Sequence, residues 1–374
     1  MLGNDSGVSR RNVLKSAGGS LAALSATGLA AAKPDDTVEV NVGFKSDKGR
    51  QMALSSADNV VRKFDTLDTV TIQVPKKAAE SLDSSPNIRY VEENGEMEAL
   101  AQTLPWGIDR VDADLASSTG AGADVAIIDT GIDSDHPDLQ ANLGAGYAAT
   151  PCSSYYGDCR YDWDDDNGHG THCAGIVAAD DNYEGVVGVG PDITLHAVKV
   201  LGARGGGSYS DIAAGIEWVA NQGYDVGSMS LGGGYSSAVY DAVQYADSRG
   251  VTLVGAAGND GPCSDCVGYP AAHDEVIAVS STNESDGLSN FSSTGPEVEL
   301  AAPGSDVYST YVGGGYDSLS GTSMACPHVS GAAGLLRSQG YSKSNARTRL
   351  RNTAENIGLS SNEQGYGLLD VGAL

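Results

Sequence analysis

Ser320–His328 reads SGTSMACPH, and the interpretation of the whole chain rests on this stretch. It holds a serine among small residues, and a small, apolar run, Val329–Leu336, follows it. This pattern is typical of a nucleophilic serine on a tight turn before a buried helix, where the helix dipole and free N–H groups favour negative charge. A Ser or Thr N-cap before an ordinary core helix gives the same pattern. The stretch alone therefore leaves both interpretations open.

Two upstream stretches offer the base and the orienting acid that a serine nucleophile needs. Asp124–Gly131 (DVAIIDTG) is an apolar run that ends in Asp129 and then a glycine. It predicts a buried parallel strand with a carboxylate at its C-terminal edge, where open α/β sheets place their sites. Asn167–Gly175 (NGHGTHCAG) places His169 at the start of a second helix rich in small residues. The chain thus carries an acid, a base and a nucleophile in the order Asp, His, Ser.

That order separates two classes of hydrolase. An α/β-hydrolase runs Ser, Asp or Glu, His, and Ala325 stands where its nucleophile elbow requires glycine, so this class is disfavoured. The three stretches together resemble the signatures of subtilisin-type serine proteases, whose triad has this same order. The resemblance extends from about Gln102 to the C-terminus. It implies that Asp129 orients the imidazole and that His169 acts as general base and then acid. It also implies that Ser323 is the nucleophile.

Apolar runs alternate with helical patterns after residue 101, which predicts an α/β domain with a parallel sheet covered on both faces. The resemblance implies a subtilisin-like three-layer α/β/α fold with a mainly parallel sheet, preceded by a small α+β propeptide. The predicted strands are Asp124–Asp129, Leu195–Leu201, Val226–Leu231, Val251–Ala256 and Val276–Ser280. The predicted helices are His172–Ala179, Asp211–Gln222, Ala238–Arg249 and Thr322–Gln339.

Glycine-rich segments mark places where another chain can approach the backbone closely. In the family such segments pair with an extended peptide by strand addition. A plain flexible loop is the alternative for each, and it is the interpretation adopted for Gly313–Gly315. Gly268 resembles the floor of the family's first specificity pocket, which implies room for a large apolar side chain. The resemblance assigns substrate binding to Gly205, Gly206, Gly207, Ser230, Leu231, Gly232 and Gly268.

Asn259 follows another predicted strand, in the run Ala256–Asn259. Acyl transfer builds negative charge on the carbonyl oxygen, and a fixed side-chain N–H stabilises that charge in the transition state. Asn259 resembles the family's oxyanion residue, with the Ser323 backbone N–H as the second donor. An asparagine before Asp-Gly is otherwise typical of a turn.

The first hundred residues have a different character. Residues 1–32 carry Arg10-Arg11 before an Ala/Gly/Leu-rich run, which is typical of a twin-arginine signal peptide. A basic tail before a surface helix is the alternative. Residues 33–100 predict a small α+β module with strands at Val38–Phe44 and Thr69–Val74 and helices at Gln51–Phe64 and Lys76–Leu82. The resemblance implies a propeptide that assists folding and then inhibits the cleft, although composition alone fits a binding domain equally well. We expect the mature enzyme, 101–374, to begin after Leu100.

Charge is concentrated in the second part of the chain. Residues 101–374 hold 10 Lys and Arg against 35 Asp and Glu, and Lys199 and Lys343 are the lysines there. An acidic, lysine-poor surface disfavours nucleic acid and anionic membranes as partners. It resembles the halolysins, the exported subtilases of halophilic archaea, and so implies a secreted enzyme that depends on salt. The expected partners are peptide and protein substrates and the chain's own propeptide, and we expect a monomer.

Cysteine and histidine raise the question of zinc. His169, His172 and Cys173 offer preferred zinc donors, but a site requires three or four that converge. A tightly packed helix is the favoured interpretation, with Cys173 as a buried free thiol.

Short local disulfides are the natural interpretation of Cys152 with Cys159 and of Cys263 with Cys266 in an exported chain. Redox catalysis by the pair Cys263 and Cys266 is the rival interpretation. Cys326 lies three residues after Ser323 and is expected to be buried structure.

Calcium is the expected cofactor, in a structural role. Carboxylate, amide and carbonyl oxygens suit Ca²⁺, and the resemblance implies a site made of Gln102, Asp138, Asp180, Asn182, Glu184 and Val186. The acidic loop Asp162–Asp166 allows either a second ion or a solvated surface.

Two functions of different class remain at this stage. The first is a secreted serine endopeptidase that processes itself from a precursor. The second is a catalytically silent peptide-binding module locked by residues 37–100, because a locked zymogen has the same sequence features.

Overall fold

Strands and helices alternate along most of the chain. The computed structural model describes residues 37–94, 102–153 and 159–374. The strands are β1 (Thr37–Phe44), β2 (Asn59–Lys63), β3 (Thr69–Pro75), β4 (Ile88–Glu93), β5 (Asp124–Asp129), β6 (Tyr147–Ala148), β7 (Thr194–Lys199), β8 (Val226–Met229), β9 (Thr252–Ala256), β10 (Val276–Thr282), β11 (Val298–Pro303), β12 (Val307–Tyr311) and β13 (Gly315–Leu319). The helices are α1 (Asp47–Ser56), α2 (Lys76–Asp83), α3 (Trp106–Arg110), α4 (His169–Ala178), α5 (Tyr209–Gln222), α6 (Ser237–Ser248), α7 (Thr322–Ser338), α8 (Lys343–Thr353) and α9 (Ser361–Gln364).

The central sheet has seven parallel strands in the order β11-β10-β9-β8-β5-β7-β6. Consecutive residues of β5 pack on opposite faces of this sheet. Ile127 lies in a buried cluster with Ala174 and Val329, from α4 and α7, whereas Ile128 lies in a second cluster with Ile216 of α5. Strands covered on both faces are expected to be continuous apolar runs, as β5 is. The predicted three-layer α/β/α fold is confirmed.

The predicted elements of this sheet lie within three residues of the observed ones, but its two edge strands, β6 and β11, were missed, as were β12 and β13 of a separate two-stranded sheet. β11 was not predicted because Glu299 interrupts the apolar run that would have indicated a buried strand. The carboxylate of Glu299 is buried and satisfied by Arg347 and Arg351 from α8. A buried charge needs such partners, and they lie about fifty residues further along the chain.

Residues 37–94 belong to a separate compact unit. Its antiparallel sheet has the order β2-β3-β1-β4, and α1 and α2 contribute to a core that contains Val42, Ile72 and Leu82. The predicted helix Gln51–Phe64 is wrong in its second half. α1 ends at Ser56. The residues after it include the β-branched Val60 and Val61 and form β2, an edge strand that pairs with β3. The α+β character of this unit is as predicted.

A hairpin of β12 and β13 turns at the glycine run that the sequence left without a role. Gly313 and Gly314 have φ of 77° and 69°, a left-handed conformation that glycine adopts without strain. Both backbone N–H groups donate to Asp133 Oδ2, at 2.8 and 3.2 Å. The turn is therefore fixed by a carboxylate that follows β5 rather than being a plain flexible loop.

Two disulfides join Cys152 to Cys159 and Cys263 to Cys266, while Cys173 and Cys326 are buried and free. Across the described residues, no helix has the length and apolar character needed to cross a membrane. The signal peptide predicted at 1–32 and the junction predicted at Leu100 lie outside those residues.

Candidate active site

Asp129 ends β5 at the carboxyl edge of the sheet and is fully buried. Its Oδ1 accepts hydrogen bonds from the Thr130 N–H at 2.7 Å and lies 2.8 Å from His169 Nδ1. Because a carboxylate only accepts, Nδ1 carries the proton and Nε2 is left free to accept one. The structure therefore places the acid where it fixes the tautomer of the base.

His169 is the first residue of α4, and the predicted helix start at His172 was three residues late. The turn before it is tight. A Cβ on Gly170 would lie 2.2 Å from the Gly131 carbonyl, so only glycine allows the helix to approach the end of β5 this closely. Burial lowers the pKa of His169, but the charges of Asp129 and Asp165 and the Asp129 hydrogen bond outweigh it, so that the pKa is raised. The imidazolium that forms during proton transfer is thus stabilised.

Ser323 lies in the first turn of α7, as the nucleophile interpretation requires. Its hydroxyl donates to the Ser230 carbonyl at 3.2 Å, and its own carbonyl accepts from Ser230 Oγ at 2.8 Å. The hydroxyl thus bonds Ser230 rather than His169. Catalytic hydrogen bonds often tighten only in the substrate complex, and a side-chain rotation would redirect this one.

Asn259 presents its amide nitrogen beside Ser323. Its Oδ1 accepts from Thr322 N at 2.9 Å and Thr322 Oγ1 at 3.1 Å, and since the backbone N–H can only donate, the orientation of the amide is determined. A Cβ built on Gly321 would lie 3.5 Å from Asn259 Nδ2 and 3.6 Å from Ser323 N. Two nitrogens that carry protons therefore lie near one point, and an oxyanion hole is built from N–H donors placed close together in this way.

A cavity of about 450 Å³ runs beside His169. Six of the seven predicted substrate-binding residues line it: Gly205, Gly206, Gly207, Ser230, Leu231 and Gly232. Gly268 lies next to the cavity without lining it, since a Cβ there would lie 3.7 Å from the Gly233 carbonyl. The aromatic wall formed by Tyr209 and Tyr269 was missed from the sequence, where isolated tyrosines give no signal.

The acidic loop before His169 is largely internal. Asp164, Asp165 and Asp166 are at most 4 % exposed, so the solvated-surface interpretation is wrong for these three. Asp165 accepts from the N–H groups of Asn167 and Gly168 and from Thr171, and so shapes the turn into α4. These carboxylates serve the geometry of His169.

The hairpin of β12 and β13 holds α4 from the other side. Ser309 Oγ donates to the His172 carbonyl at 2.9 Å, and Thr310 Oγ1 donates to the Thr171 carbonyl at 2.8 Å. His172 Nε2 faces the carbonyls of Val307 and Asp317 at 3.0 and 3.1 Å. His172 is thus engaged by the hairpin.

The zinc grouping considered from the sequence therefore does not assemble. The described Asp, Glu, His and Cys residues close enough to share an ion here are Asp129, His169 and Cys173. Burial raises the pKa of Cys173 well above its ordinary value, so its thiol stays protonated and donates to the Ser323 carbonyl at 3.4 Å. Cys173 is the buried free thiol that was predicted.

Several oxygen atoms lie close together around the side chain of Gln102, at the N-terminal end of the segment 102–374. Asp138 is fully buried, and the carbonyls of Asp180 and Val186 both accept from Gln102 Nε2, at 2.5 and 2.9 Å. Asn182 Nδ2 donates to Asp138 Oδ1 at 3.1 Å. These two amide nitrogens stand beside oxygens of the kind that a cation binds, and an amide flip of Gln102 would turn its oxygen toward the same region.

This donor set suits Ca²⁺, which prefers carboxylate and carbonyl oxygens. Glu184, by contrast, is exposed, and its backbone N–H donates to Asn182 Oδ1. Tyr316 of the hairpin donates to Asp138 Oδ2 at 2.9 Å, a contact that the sequence did not predict.

Known proteins share these features. Residues 120–367 match the model of the subtilase family. The alkaline protease of Alkalihalobacillus alcalophilus is 43 % identical over 320 residues, 84 % of this chain and 81 % of the relative. Alkaline elastase YaB of Bacillus sp. (strain YaB) is 41 % identical over 322 residues, with the same two shares. Subtilisin E of Bacillus subtilis (strain 168) is 39 % identical over 359 residues, 92 % of each chain.

Proposed function

The chain belongs to the subtilase family and is a subtilisin-type serine protease, and from this premise we propose how it cleaves peptides. Ser323 attacks the scissile carbonyl while His169 Nε2 takes the hydroxyl proton, and His169 then passes that proton to the leaving amine. Asp129 holds the imidazole tautomer through Nδ1. The observation that carries this proposal is the 2.8 Å contact between Asp129 Oδ1 and His169 Nδ1.

Negative charge on the carbonyl oxygen is stabilised by Asn259 Nδ2 and the Ser323 N–H. Both face one point in front of Gly321, so the two donors need no rearrangement when the charge develops. The substrate backbone lies as an added strand between the segments Gly205–Gly207 and Ser230–Gly232, which line the cavity.

Labelling with a fluorophosphonate tests the proposal, because the reagent requires an activated serine. We expect the parent chain to be labelled and the Ser323→Ala and His169→Ala variants to remain unlabelled. Labelling of Ser323→Ala would place the reactive serine elsewhere. An unlabelled parent in which residues 101–374 have been freed of the N-terminal segment would instead support a silent peptide-binding module.

Residues 1–32 are proposed to direct export and residues 33–100 to act as a propeptide that the enzyme removes itself. The 359-residue match to subtilisin E extends well beyond residues 120–367 and supports an N-terminal segment of common origin. We expect Ser323→Ala to leave an unprocessed precursor, whereas the parent begins near Ala101. N-terminal sequencing of both secreted chains checks this, and a mature Ser323→Ala chain would identify another protease as the processing enzyme.

The first specificity pocket is proposed to accept a large apolar side chain. Gly268 places no side chain beside the cleft, and its N–H donates to the Ala257 carbonyl at 2.9 Å. Leu100 at the proposed junction has a side chain of this kind. Cleavage of a peptide library mainly after small or acidic residues would contradict the assignment.

Secretion into a salt-rich medium is proposed from the charge of residues 101–374. This part of the chain has 35 acidic and 10 basic side chains, so its acidic groups repel one another. The repulsion is strongest at low ionic strength, because the screening length is about 10 Å at 0.1 M salt and falls to about 3 Å at 1 M. We expect activity and far-UV signal to be lost in dilute buffer at fixed calcium. Full retention of both would remove salt dependence and leave the protease proposal intact.

A further inference from the structure

Lys199 ends β7 and is fully buried, although it is one of two lysines after residue 101. Its Nζ donates to the Thr130 carbonyl at 2.6 Å, to Asp166 Oδ1 at 2.6 Å and to the Leu201 carbonyl at 3.0 Å. A lysine has three N–H donors, and each of these is used. All three acceptors belong to segments that border the catalytic cleft.

Thr130 relays this contact to both members of the acid–base pair. Its N–H donates to Asp129 Oδ1 at 2.7 Å, and its Oγ1 accepts from the Gly170 N–H at 2.9 Å. Lys199 lies directly opposite Asp129 in the register of β5 and β7. One ammonium group therefore fixes the residue that holds the Asp129 carboxylate and the first turn of the His169 helix.

Asp166, the charged partner, lies three residues before His169. Its second oxygen, Oδ2, accepts from Ser153 N at 2.7 Å and from Ser153 Oγ at 3.0 Å. Ser153 follows Cys152, so the same carboxylate ties the segment closed by the Cys152–Cys159 disulfide to the turn before α4. The ion pair thus gathers three segments that are distant in sequence.

We propose that Lys199 is a positioning residue for the Asp129–His169 pair, an inference that rests on the proposed protease mechanism. Stability alone is a weak reason for such a pair. Two buried charges can often be replaced by apolar groups without loss, because their desolvation offsets their attraction. A flexible, strongly hydrated ammonium is costly to bury, and here all its hydrogen bonds are directed at the catalytic segments.

Replacing Lys199 by methionine keeps the length of the side chain and removes its donors. We expect Lys199→Met to lower kcat roughly ten- to hundredfold, since a small misplacement of catalytic groups has effects of this order. In Lys199→Met/Asp166→Asn, which removes the cation and its carboxylate together, the acid limb of the pH profile of kcat/KM should move to lower pH. That direction follows because the Asp129 contact raises the pKa of His169, so a weaker contact lets it fall.

A double variant separates positioning from stability. Lys199→Met leaves the Asp166 charge buried without its cation and should lower Tm. Lys199→Met/Asp166→Asn removes both charges and should recover much of the Tm while kcat stays at the single variant's value. Lys343→Met is the matched control, because it breaks the partly exposed Lys343–Asp247 pair on another surface and should change neither kcat nor the acid limb.

A proton resonance gives a readout that needs neither turnover nor processing. In the full Ser323→Ala chain, the His169 Nδ1 proton should appear far downfield and be assigned by its loss in Ser323→Ala/His169→Ala. We expect Lys199→Met, or the double variant if the single one does not fold, to shift this resonance upfield. An unmoved resonance, or an unmoved acid limb with kcat within about twofold of the parent, would overturn the positioning role. An inactive parent would count against the protease mechanism, and the resonance would still decide the role of Lys199.

Discussion

The two halves of the candidate site are held in place by different forces. The charged half consists of Asp129 and His169 with the buried groups Asp165, Asp166 and Lys199, where ions are paired away from water. The neutral half consists of Ser323 and Asn259 with Ser230 and Thr322, where hydroxyl and backbone groups make the hydrogen bonds. Proton transfer requires a titrating group whose pKa is controlled, whereas attack and oxyanion binding require fixed dipoles. The comparison indicates that the pH dependence of proton transfer resides in the first half, whereas the second half contributes fixed geometry.

Removing the Asn259 amide is the largest expected effect that sharpens this comparison. We expect Asn259→Ala to lower kcat by roughly 10²–10³, the size known for the equivalent donor in subtilisin, a member of the same family. KM and the acid limb should stay unchanged, because the neutral half does not set the pKa of His169. Steady-state kinetics across pH check this.

Asn221→Ala is the control for that variant, since its amide accepts from Tyr245 on an exposed helix surface. A shifted acid limb in Asn259→Ala would show that the halves are electrostatically joined and would contradict the comparison.

Acid should weaken both halves through two buried histidines. Burial lowers the pKa of His172 in α4 and of His328 in α7 to about 4, against 6.5 ordinarily. Among the described residues His172 Nδ1 and His328 Nε2 have no hydrogen-bond partner, so a proton added there would be buried and unpaired with any of them. The folded state binds these protons more weakly than the unfolded chain does. Each histidine therefore contributes about 3 kcal/mol to the free energy of unfolding above about pH 6.5. This contribution is lost as the pH falls toward 4.

Tryptophan fluorescence during urea unfolding, from pH 7 to pH 4, checks this prediction. All three tryptophans lie after residue 101, so the signal reports on that part of the chain, and the Ser323→Ala background prevents self-digestion. A free energy of unfolding that does not change between the two pH values would refute it.

Calcium should act on the charged half first. The oxygens around Asp138 fit the ion, and Tyr316 links Asp138 to the hairpin that holds α4. An ion present at 100 times its Kd stabilises the native state by about 2.7 kcal/mol, so a chelator should lower Tm at constant salt. Asp138→Asn should abolish that difference, whereas Asp241→Asn on the exposed surface of α6 should keep it. An unchanged Tm with chelator would remove this site.

Salt should have the smallest effect on the charged half itself. Buried pairs are screened far less than exposed ones, and Lys199 and Asp166 have side chains at most 1 % exposed. We therefore expect the acid limb to stay in place between roughly 0.1 and 1 M salt, even if overall stability changes. If the acid limb of the pH profile shifts with ionic strength, surface carboxylates rather than buried partners set the pKa of His169.

The sequence was sufficient wherever a motif is contiguous. Asp129, His169 and Ser323 each stand in a short run whose local structure, a strand end or a helix start, follows from its own residues. The order of the three runs then indicated the family. Strand and helix positions followed for the same reason, because each is a local pattern of burial.

Contacts between distant segments could not be predicted. Nothing local marks Lys199 as buried, since its neighbours form an ordinary strand and its partner Asp166 lies 33 residues away. The sequence left the acidic loop open between an ion site and a solvated surface because its hydrogen-bond donors, such as Thr171 and Ser153, come from outside it. Gly268 lies outside the cavity lining, beside Gly233, which lines it, and the sequence holds no sign of that neighbour 35 residues away.

The hairpin that holds α4 also bears on the order in which the site forms during synthesis of the chain. Ser309 and Thr310 bond carbonyls 137 and 139 residues earlier in the chain, and Ser323 follows the hairpin directly. When the ribosome has made the whole of α4, the two hairpin hydroxyls that donate to its carbonyls are still to be synthesised. Ser323 is made shortly after the hairpin, so the helix bearing His169 gains these bonds at about the time that Ser323 is added. A growing chain therefore lacks both the hairpin bonds and Ser323 until synthesis has passed β13.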